Sequence, residues 1–94
     1  MTNYHDIQFG NNAYGTLSQA YATTATSIVL TAGHGARFPT LAANQYFFAT
    51  LLDTTNNLEI VKVTARATDT LTIVRAQEGT TARAFATNDR VELR

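Results

Sequence analysis

Short runs of apolar residues, most of them alternating with polar ones, follow one another through the second half of the chain. In residues 58–66 (LEIVKVTAR), Val61 and Val63 fall on one side and Lys62 and Thr64 on the other. A period of two residues is that of a β-strand with one buried face. Three such runs, separated by the turn segments TTNN and ATDT, are residues 45–53, 58–66 and 71–75. Tight turns join antiparallel neighbours, so these runs are predicted to form a three-stranded meander.

Two further strands flank the meander. Residues 26–32 form a β-branched run that stops at the glycine-rich GHG, and residues 88–94 begin with a turn and point their apolar side chains inward. Residues 45–53 are apolar on both faces, which predicts a central or covered strand. Any helix is expected to be a single turn around residues 82–86. We therefore predict an all-β fold, a small antiparallel β-barrel or sandwich of about five strands with an extended N-terminal arm.

The first 25 residues have no sustained period and are rich in Asn, Thr, Ala and Gly. Such a segment buries too little apolar area to offset the cost of ordering its backbone, about 1–2 kcal/mol per residue. We predict an arm over residues 1–25, loosely ordered in isolation through residue 20, and a β-domain over residues 26–94. Rigid aromatic rings suit docking on a partner, and those of the arm are Tyr4, Phe9, Tyr14 and Tyr21. Packing of these rings on the chain's own core is the alternative.

The length and the charge of the chain argue against several classes of function. The chain has 94 residues, a formal net charge of zero and 15% charged residues, with its seven Lys and Arg dispersed. A domain of this size has little material for a deep pocket, and binding to nucleic acid needs a concentrated basic face. The chain has no Cys, no N-terminal signal pattern and no apolar run near the ~20 residues that cross a bilayer. We expect a soluble protein without enzyme activity, nucleic acid or membrane partner, or cofactor.

The densest group of charged and polar residues lies in residues 74–85, VRAQEGTTARAF. This run has one glycine and no lysine, so it does not match a phosphate-binding loop, and the chain has no serine-nucleophile motif. Arg75 is instead expected to pair with Glu78 or with an acid on a neighbouring strand, and Gly79 to supply a turn with positive φ. The predicted structural turn residues are Arg75, Glu78, Gly79, Asn88 and Asp89.

Histidines and acids are scattered along the chain. His5 lies in the arm and His34 between two glycines, where a histidine is usually exposed. Neither completes a metal site unless the fold or a symmetry axis brings in further ligands. Acids at strand ends and turns normally face water or bond the local backbone; they are Asp53, Glu59, Asp69 and Asp89. We predict no catalytic, cofactor-binding or metal residues.

Three segments of the chain, RFP, EIVKV and VRAQEGTTARAF followed by DRVEL, resemble a small β module that recurs in virion proteins of tailed bacteriophages. In those proteins the module is often part of a tail fibre or another tail-associated protein. The resemblance covers residues 26–94. In the family the arginine is usually followed by glycine and a glycine is common before DR, whereas this chain has Ala76 and Asn88. Asn tolerates a left-handed turn, and Ala76 indicates that its position does not need a positive φ.

The resemblance implies a non-enzymatic structural part of a phage particle, made in the host cytoplasm and located in the virion. It implies docking on other virion proteins. A symmetric oligomer is expected because the chain is 45% hydrophobic and has an arm that needs copies of the chain or partners to complete its burial, and analogy to fibres and decoration proteins favours a trimer. A small tail-associated component, such as an adaptor or a fibre-base protein, is the first expectation, and a capsid decoration (cement) protein is the alternative. The residues also leave a different class open, a small β-barrel that binds carbohydrate by stacking it on Tyr46 or Phe48.

Overall fold

In the computed structural model, which describes residues 13–94, the chain forms one antiparallel sheet of six strands. The strands are β1 (Tyr14–Thr16), β2 (Ser27–Val29), β3 (Phe47–Leu52), β4 (Leu58–Ala67), β5 (Thr70–Gln77) and β6 (Arg90–Leu93). Their order across the sheet is β1-β6-β3-β4-β5-β2, so β3 and β4 are central and β1 and β2 are the edges. The predicted all-β class is confirmed.

The sheet curls until its two edge strands meet. Just beyond β1 and β2, Leu17 and Leu30 form an antiparallel bridge. Beside it, the N–H of Thr31 donates to the carbonyl oxygen of Thr16 at 2.8 Å. The strands therefore form a half-barrel whose edges touch at one bridge, which fits the predicted small barrel or sandwich. Contact between the edges reduces the length of unpaired backbone that an open sheet presents.

The predicted meander is present in β3, β4 and β5. β3 pairs with β4 over its whole length, and β4 pairs with β5. Asn56 (φ 67°) occupies a left-handed position in the turn between β3 and β4, where Asn is one of the better tolerated non-glycine residues. Thr68 (φ 57°) occupies such a position in the turn between β4 and β5, which β-branched residues rarely adopt. β4 also carries two register shifts against β5, on either side of Lys62 and Val63. Such bulges increase strand twist and help a small sheet to curl.

The hydrophobic core lies inside the curl. β3 alternates the buried residues Phe47, Ala49 and Leu51 with half-buried residues on its outer face, as expected of a central strand. Phe38, in the loop before β3, stacks on Phe47 with ring centroids 5.8 Å apart. The other buried apolar residues of this cluster are Ala13, Leu17, Ile28, Leu30, Val61, Val63, Leu71, Ile73, Phe85 and Val91.

Residues 13–25, which the sequence assigns to an arm, belong to the fold. Tyr14–Thr16 is the edge strand β1 and pairs with β6. Leu17 has no exposed surface, and Ala13 is 8% exposed. The sequence pattern misses this strand because it spans three residues, and the core contacts of Leu17 come from segments distant in sequence. Residues 1–12, the remainder of the predicted arm, lie outside the described residues.

The helical turn occurs at a different place from the predicted one. His34–Arg37 forms a 3-10 helix, whereas residues 82–86 contain no helix. In the latter segment the backbone N–H of Phe85 donates to the carbonyl oxygen of Tyr21 at 3.0 Å. The expectation of a helical turn at residues 82–86 is wrong, because this segment lies extended against the chain that precedes β2.

The GHG segment is anchored on the turn between β4 and β5. The carboxylate of Asp69, in that turn, accepts the N–H of Gly35 at 2.8 Å and the N–H of Gly33 at 3.2 Å. Gly35 has no room for a side chain, because an added Cβ would collide with the carbonyl oxygen of Thr68. Gly33 has open space around it but a φ of 87°. The two glycines thus serve close approach and backbone geometry respectively.

Candidate functional site

Glu59 and Arg75 form a buried ion pair between β4 and β5. Arg75 Nε donates to Glu59 Oε2 at 2.8 Å, and Arg75 Nη2 donates to Glu59 Oε1 at 2.7 Å, a bidentate pairing. The Glu59 side chain has no exposed surface and that of Arg75 is 10% exposed. The expectation that Glu59 faces water is therefore wrong. Of the two partners predicted for Arg75, the acid on a neighbouring strand is the observed one.

The remaining N–H groups of Arg75 bind backbone carbonyl oxygens. Nη1 donates to Ala22 O at 2.9 Å and to Ala25 O at 3.0 Å. Nη2 donates to Arg83 O at 2.6 Å in addition to its bond with Glu59. All five N–H groups of the guanidinium are thereby satisfied. The ion pair ties the segment before β2 and the segment after β5 to the centre of the sheet.

Glu59 also binds two backbone N–H groups of the VRAQEGTTARAF run. Its carboxylate accepts the N–H of Arg83 at 2.8 Å and the N–H of Ala76 at 2.9 Å. Ala76 has a φ of 55°, so the expectation that its position needs no positive φ is wrong. The left-handed backbone accompanies the bond from Ala76 to Glu59, and the glycine usual in the family adopts such a φ without a Cβ penalty.

The electrostatics of this cluster leave no group free for acid–base chemistry. Burial alone raises the pKa of Glu59, but the hydrogen bonds from Arg75, Arg83 and Ala76 and the charge of Arg75 outweigh burial and lower it. An ionised carboxylate whose oxygens accept four N–H groups has no proton to donate, and a general base must reach the proton that it removes. We conclude that the arrangement serves to hold the fold.

Glu78 and Gly79 form the turn after β5. Glu78 has a φ of 53° and Gly79 a φ of 82°, so the predicted positive φ at Gly79 is confirmed. The Glu78 side chain lies at the surface, where its Oε1 accepts Nη2 of Arg94 at 2.7 Å. It does not contact Arg75. The predicted pairing of Arg75 with Glu78 is therefore replaced by two separate ion pairs, one buried and one exposed.

Asn88 and Asp89 form the turn before β6. Asn88 has a φ of 73°, the geometry for which Asn is the common substitute for glycine. Asp89 Oδ2 accepts the N–H of Ala86 at 2.8 Å, and the carbonyl oxygen of Asp89 accepts the N–H of Leu17 at 2.9 Å. Asp89 is 5% exposed. Both residues therefore serve the turn itself, and the turn holds the chain that follows β1.

β1 carries Tyr14, one of the predicted partner-binding residues, and its free edge is capped by side chains. Tyr14 is 41% exposed, and the guanidinium carbon of Arg90 lies 4.0 Å from its ring centroid. Along the edge, Arg37 donates to Tyr14 O at 3.2 Å, and His34 Nδ1 accepts the N–H of Thr16 at 3.1 Å. His34 is half-buried by this contact. A partner strand cannot pair here without displacing both side chains.

Tyr21, another predicted partner-binding residue, is used within the fold. Its hydroxyl oxygen accepts the N–H of Val29 at 2.6 Å, which caps the edge strand β2. Its backbone exchanges two hydrogen bonds with Phe85, at 2.9 and 3.0 Å, and its ring packs against the core. Packing on the chain's own core is thus the observed arrangement for Tyr21. Tyr4 and Phe9 lie outside the described residues.

Asp53 and Asp69 cap backbone segments at turns. Asp53 Oδ1 accepts the N–H of Asn57 at 2.9 Å, and hydrogen bonds led by this one lower the pKa of Asp53 to about 2. The pKa of Asp69 is lowered chiefly by the N–H of Gly35. Within residues 13–94, no group of three or more His, Cys, Asp or Glu side chains is placed to hold a metal ion. His5 lies outside this range.

A group of apolar and aromatic side chains surrounds Lys62 on the outer face of the central strands. Lys62 lies opposite Phe48 on β3 and Val74 on β5, and its Nζ is 4.6 Å from the ring centroid of Tyr46. Tyr46 and Phe48 meet edge to face with centroids 5.6 Å apart, and Val74 is 45% exposed. We call Tyr46, Phe48, Lys62 and Val74 the outer-face patch. Sequence reasoning singled out its two aromatic residues and missed Lys62, because cross-strand register is not visible in a single strand.

A depression of about 260 Å³ adjoins the outer-face patch and is lined by Asn44, Gln45, Tyr46, Lys62 and Thr64. Lys62 is the one lysine of the sequence. Between residues 13 and 94 the ion pairs are Arg75–Glu59, Arg90–Glu92 and Arg94–Glu78. None of them includes Lys62, so no acid of the described chain neutralises its ammonium group.

Over the described part of the chain, no helix combines the length and the apolar character needed to cross a membrane. Comparison of the sequence with protein-family models and with curated proteins finds no match. The resemblance to the phage module therefore depends on the motifs quoted above.

Proposed function

We propose that the protein is a structural component of a tailed-bacteriophage virion, a small tail-associated part that docks by protein–protein contacts. The observation that carries the proposal is that two of the resemblance motifs, EIVKV and VRAQEGTTARAF, meet in one cluster. EIVKV contributes Glu59, and the VRAQEGTTARAF run contributes Arg75, Ala76 and Arg83. Motifs that are separate in sequence thus belong to one packed unit, as expected of a shared structural module.

The use of the charged groups supports a non-enzymatic role. The carboxylates of Glu59, Asp53 and Asp69 are all engaged by hydrogen bonds that hold turns or strands. Catalysis needs a nucleophile or a proton-transfer group that can reach a substrate. The large apolar side chains that remain exposed suit contacts with other proteins; in the described chain they are Tyr14, Val29, Leu58 and Val74.

In this proposal the protein docks through exposed side chains and not through backbone pairing at the edges of its sheet. Both edge strands are capped, β1 by His34 and Arg37 and β2 by the hydroxyl of Tyr21, so strand addition at these edges is disfavoured. Tyr14 and the N-terminal segment with Tyr4 and Phe9 are the proposed contacts with other virion proteins. Self-association, as a trimer, is part of the proposal.

The alternative functions differ in their support. A role in capsid decoration would use the same exposed residues of this chain, and only the resemblance to tail-associated proteins favours the tail. Carbohydrate binding has less support, because stacking needs an accessible aromatic face. The Lys62 ammonium lies over the Tyr46 ring at 4.6 Å, and the Phe48 ring contacts Tyr46 edge to face.

The proposal is tested on purified particles of the phage that encodes the protein. Quantitative mass spectrometry of washed particles measures its copy number, and gold-labelled antibodies locate it by electron microscopy. We expect a fixed copy number divisible by three and label on the tail. Label distributed over the head favours the decoration alternative, and absence from washed particles overturns the virion proposal.

A further inference from the structure

Beyond the bridge that joins the two edges of the sheet, β1 forms hydrogen bonds with residues 31–37, and we call this contact the seam. The N–H of Thr31 donates to the carbonyl oxygen of Thr16 at 2.8 Å. Farther along, side chains take the place of a backbone partner. His34 Nδ1 accepts the N–H of Thr16 at 3.1 Å, and Arg37 Nη1 donates to the carbonyl oxygen of Tyr14 at 3.2 Å. Of these bonds, the one to His34 has an acceptor of the kind that changes charge between about pH 5 and pH 8.

The imidazole of His34 accepts this hydrogen bond only while it is neutral. In a neutral imidazole one nitrogen carries a hydrogen and the other accepts, whereas both nitrogens of an imidazolium are donors. The bond from Thr16 therefore makes Nδ1 the acceptor and places the ring hydrogen on Nε2. Protonation sets an N–H of the ring against the N–H of Thr16, so this bond is lost.

Gly15 allows the ring of His34 to lie directly on β1. A Cβ built at Gly15 would lie 3.0 Å from His34 Cβ and 3.2 Å from His34 Nδ1. The ring is thus packed against the same backbone whose N–H it accepts, and it is half-buried there. Because ring and strand are in contact, repulsion between two donors must move one of them away from the other.

Charged groups near His34 act on an imidazolium in opposite directions. The titratable and charged residues on the elements around it are Asp69 in the β4–β5 turn, Arg66 on β4, Arg37 on the 3-10 helix, Tyr14 on β1 and Arg90 on β6. The charge of His34 is one of the causes that lower the pKa of Asp69, and this attraction is mutual, whereas the arginines repel an imidazolium. Asp69 also accepts the N–H groups of Gly33 and Gly35. These bonds hold the backbone on either side of His34 while its ring changes partner.

We propose that protonation of His34 opens the seam in mild acid. Near neutral pH, Nδ1 holds the N–H of Thr16 and caps the outer edge of β1. In acid this bond is lost, and the N–H of Thr16 becomes accessible. An unpaired backbone N–H at a sheet edge is a place where another strand can pair, so pH controls access to this edge. The inference goes beyond the proposed virion role and does not depend on it.

Hydrogen exchange of single backbone amides, followed by NMR of isotope-labelled protein, tests the opening. The protection factor of the Thr16 N–H corrects for the intrinsic effect of pH on exchange. It is compared at about pH 7.5 and about pH 5, on either side of the range in which imidazoles titrate and with carboxylates ionised at both. We expect protection at the lower pH to fall at least about fivefold. The N–H of Leu17, which donates to Asp89 on the other side of the chain, is the internal control and is expected to keep its protection.

Variants assign the change to His34. In His34→Asn the side-chain oxygen is separated from Cα by as many bonds as Nδ1, so it accepts the N–H of Thr16 but does not titrate. This protein is expected to protect Thr16 equally at the two pH values, whereas His34→Ala is expected to lose protection at both. His5→Asn removes the other histidine of the sequence and is expected to keep the wild-type pH dependence. Thermal unfolding of each variant shows whether the fold is retained.

The ring itself supplies a second measurement on the unaltered protein. Its nitrogen chemical shifts distinguish a neutral Nδ1 acceptor from an imidazolium, and their titration midpoint is expected to coincide with the midpoint for loss of Thr16 protection. Where His34→Asn fails to protect Thr16 at either pH, this comparison decides. Four results overturn the inference: equal protection of Thr16 at the two pH values in the wild type, the wild-type loss persisting in His34→Asn, its disappearance in His5→Asn, and midpoints that differ.

Discussion

Arg75 reaches from β5 to Glu59 on β4, and the same guanidinium holds the carbonyl oxygens of Ala22, Ala25 and Arg83. Loss of the Glu59 charge leaves a buried cation without its counter-ion, which typically costs about 3–5 kcal/mol. Glu59→Gln is therefore expected to lower the free energy of unfolding by about that amount. Urea denaturation followed by circular dichroism measures the loss.

Glu78→Gln is the matched control, because it makes the same chemical change in an exposed ion pair. The side chains of Arg94 and Glu78 are 49% and 36% exposed, and exposed pairs contribute little to stability. We expect the denaturation midpoint of this variant to stay within experimental error of the wild type. Equal losses at Glu59 and Glu78 would contradict the structural role assigned to the buried pair.

Asp53 makes the stability of the fold depend on pH in the acid range. Hydrogen bonds led by that from the N–H of Asn57 lower the pKa of Asp53 from 3.8 to about 2. A pKa that is lower in the folded than in the unfolded chain stabilises the fold above the unfolded pKa, and this contribution is lost as pH falls through the folded pKa. Asp53→Asn is expected to flatten the decline of unfolding free energy between about pH 4 and about pH 2. Parallel pH profiles for the wild type and the variant would contradict this.

Ala76 occupies a left-handed position with a φ of 55°. Gly lacks the Cβ that disfavours this conformation, while the backbone N–H that binds Glu59 is kept. Ala76→Gly is expected to raise the free energy of unfolding by about 1 kcal/mol. Ala67→Gly, at an exposed position of β4, is the control and is expected to lower it by about 0.5–1 kcal/mol. Thermal denaturation of both variants distinguishes the two signs, and a loss of stability in Ala76→Gly would contradict the assigned φ.

Gly35 packs against the β4–β5 turn so closely that an added Cβ would lie 2.7 Å from the Cα of Asp69. Gly35→Ala therefore displaces the loop and is expected to cost about 3 kcal/mol. Gly33→Ala meets no neighbour but adopts an unfavourable φ, so about 1–2 kcal/mol is expected. Chemical denaturation ranks the two variants, and a larger loss at Gly33 would show that close approach is not what Gly35 provides.

The strands of the meander are predictable from sequence because a period of two and polar turn residues are local signals. β1 is not predictable from sequence, because it is short. The one large aliphatic residue next to it, Leu17, finds its core contacts in distant segments. The 3-10 helix at His34–Arg37 is likewise hidden, because it depends on Asp69 binding the backbone of the GHG segment. Local sequence patterns thus identify the strands of the meander, whereas the conformations of the loops depend on hydrogen bonds between residues that are distant in sequence.

The candidate site likewise combines features that local sequence patterns predict with features that depend on contacts between distant residues. The density of polar residues in VRAQEGTTARAF predicts that this run turns the chain between strands, and the turn at Gly79 follows from glycine geometry. Glu59 resembles a solvated residue at a strand end, and its burial depends on Arg75 sixteen positions away. Ala76 conceals its positive φ, because alanine gives no local signal for a left-handed turn. Only the pairing of β4 with β5 brings these residues together.

Leu17 and Tyr14 distinguish a folding role from a docking role in the N-terminal region. Leu17 has no exposed surface, whereas Tyr14 is 41% exposed. Leu17→Ala removes buried methyl groups and is expected to lower the free energy of unfolding by about 2–5 kcal/mol. Tyr14→Ala is expected to keep most of the stability and, under the proposed function, to reduce the copy number in purified particles. Chemical denaturation and quantitative mass spectrometry of particles measure the two effects. If Leu17→Ala is as stable as the wild type, Leu17 does not contribute to the core as its burial indicates, and if Tyr14→Ala enters particles normally, docking uses another surface.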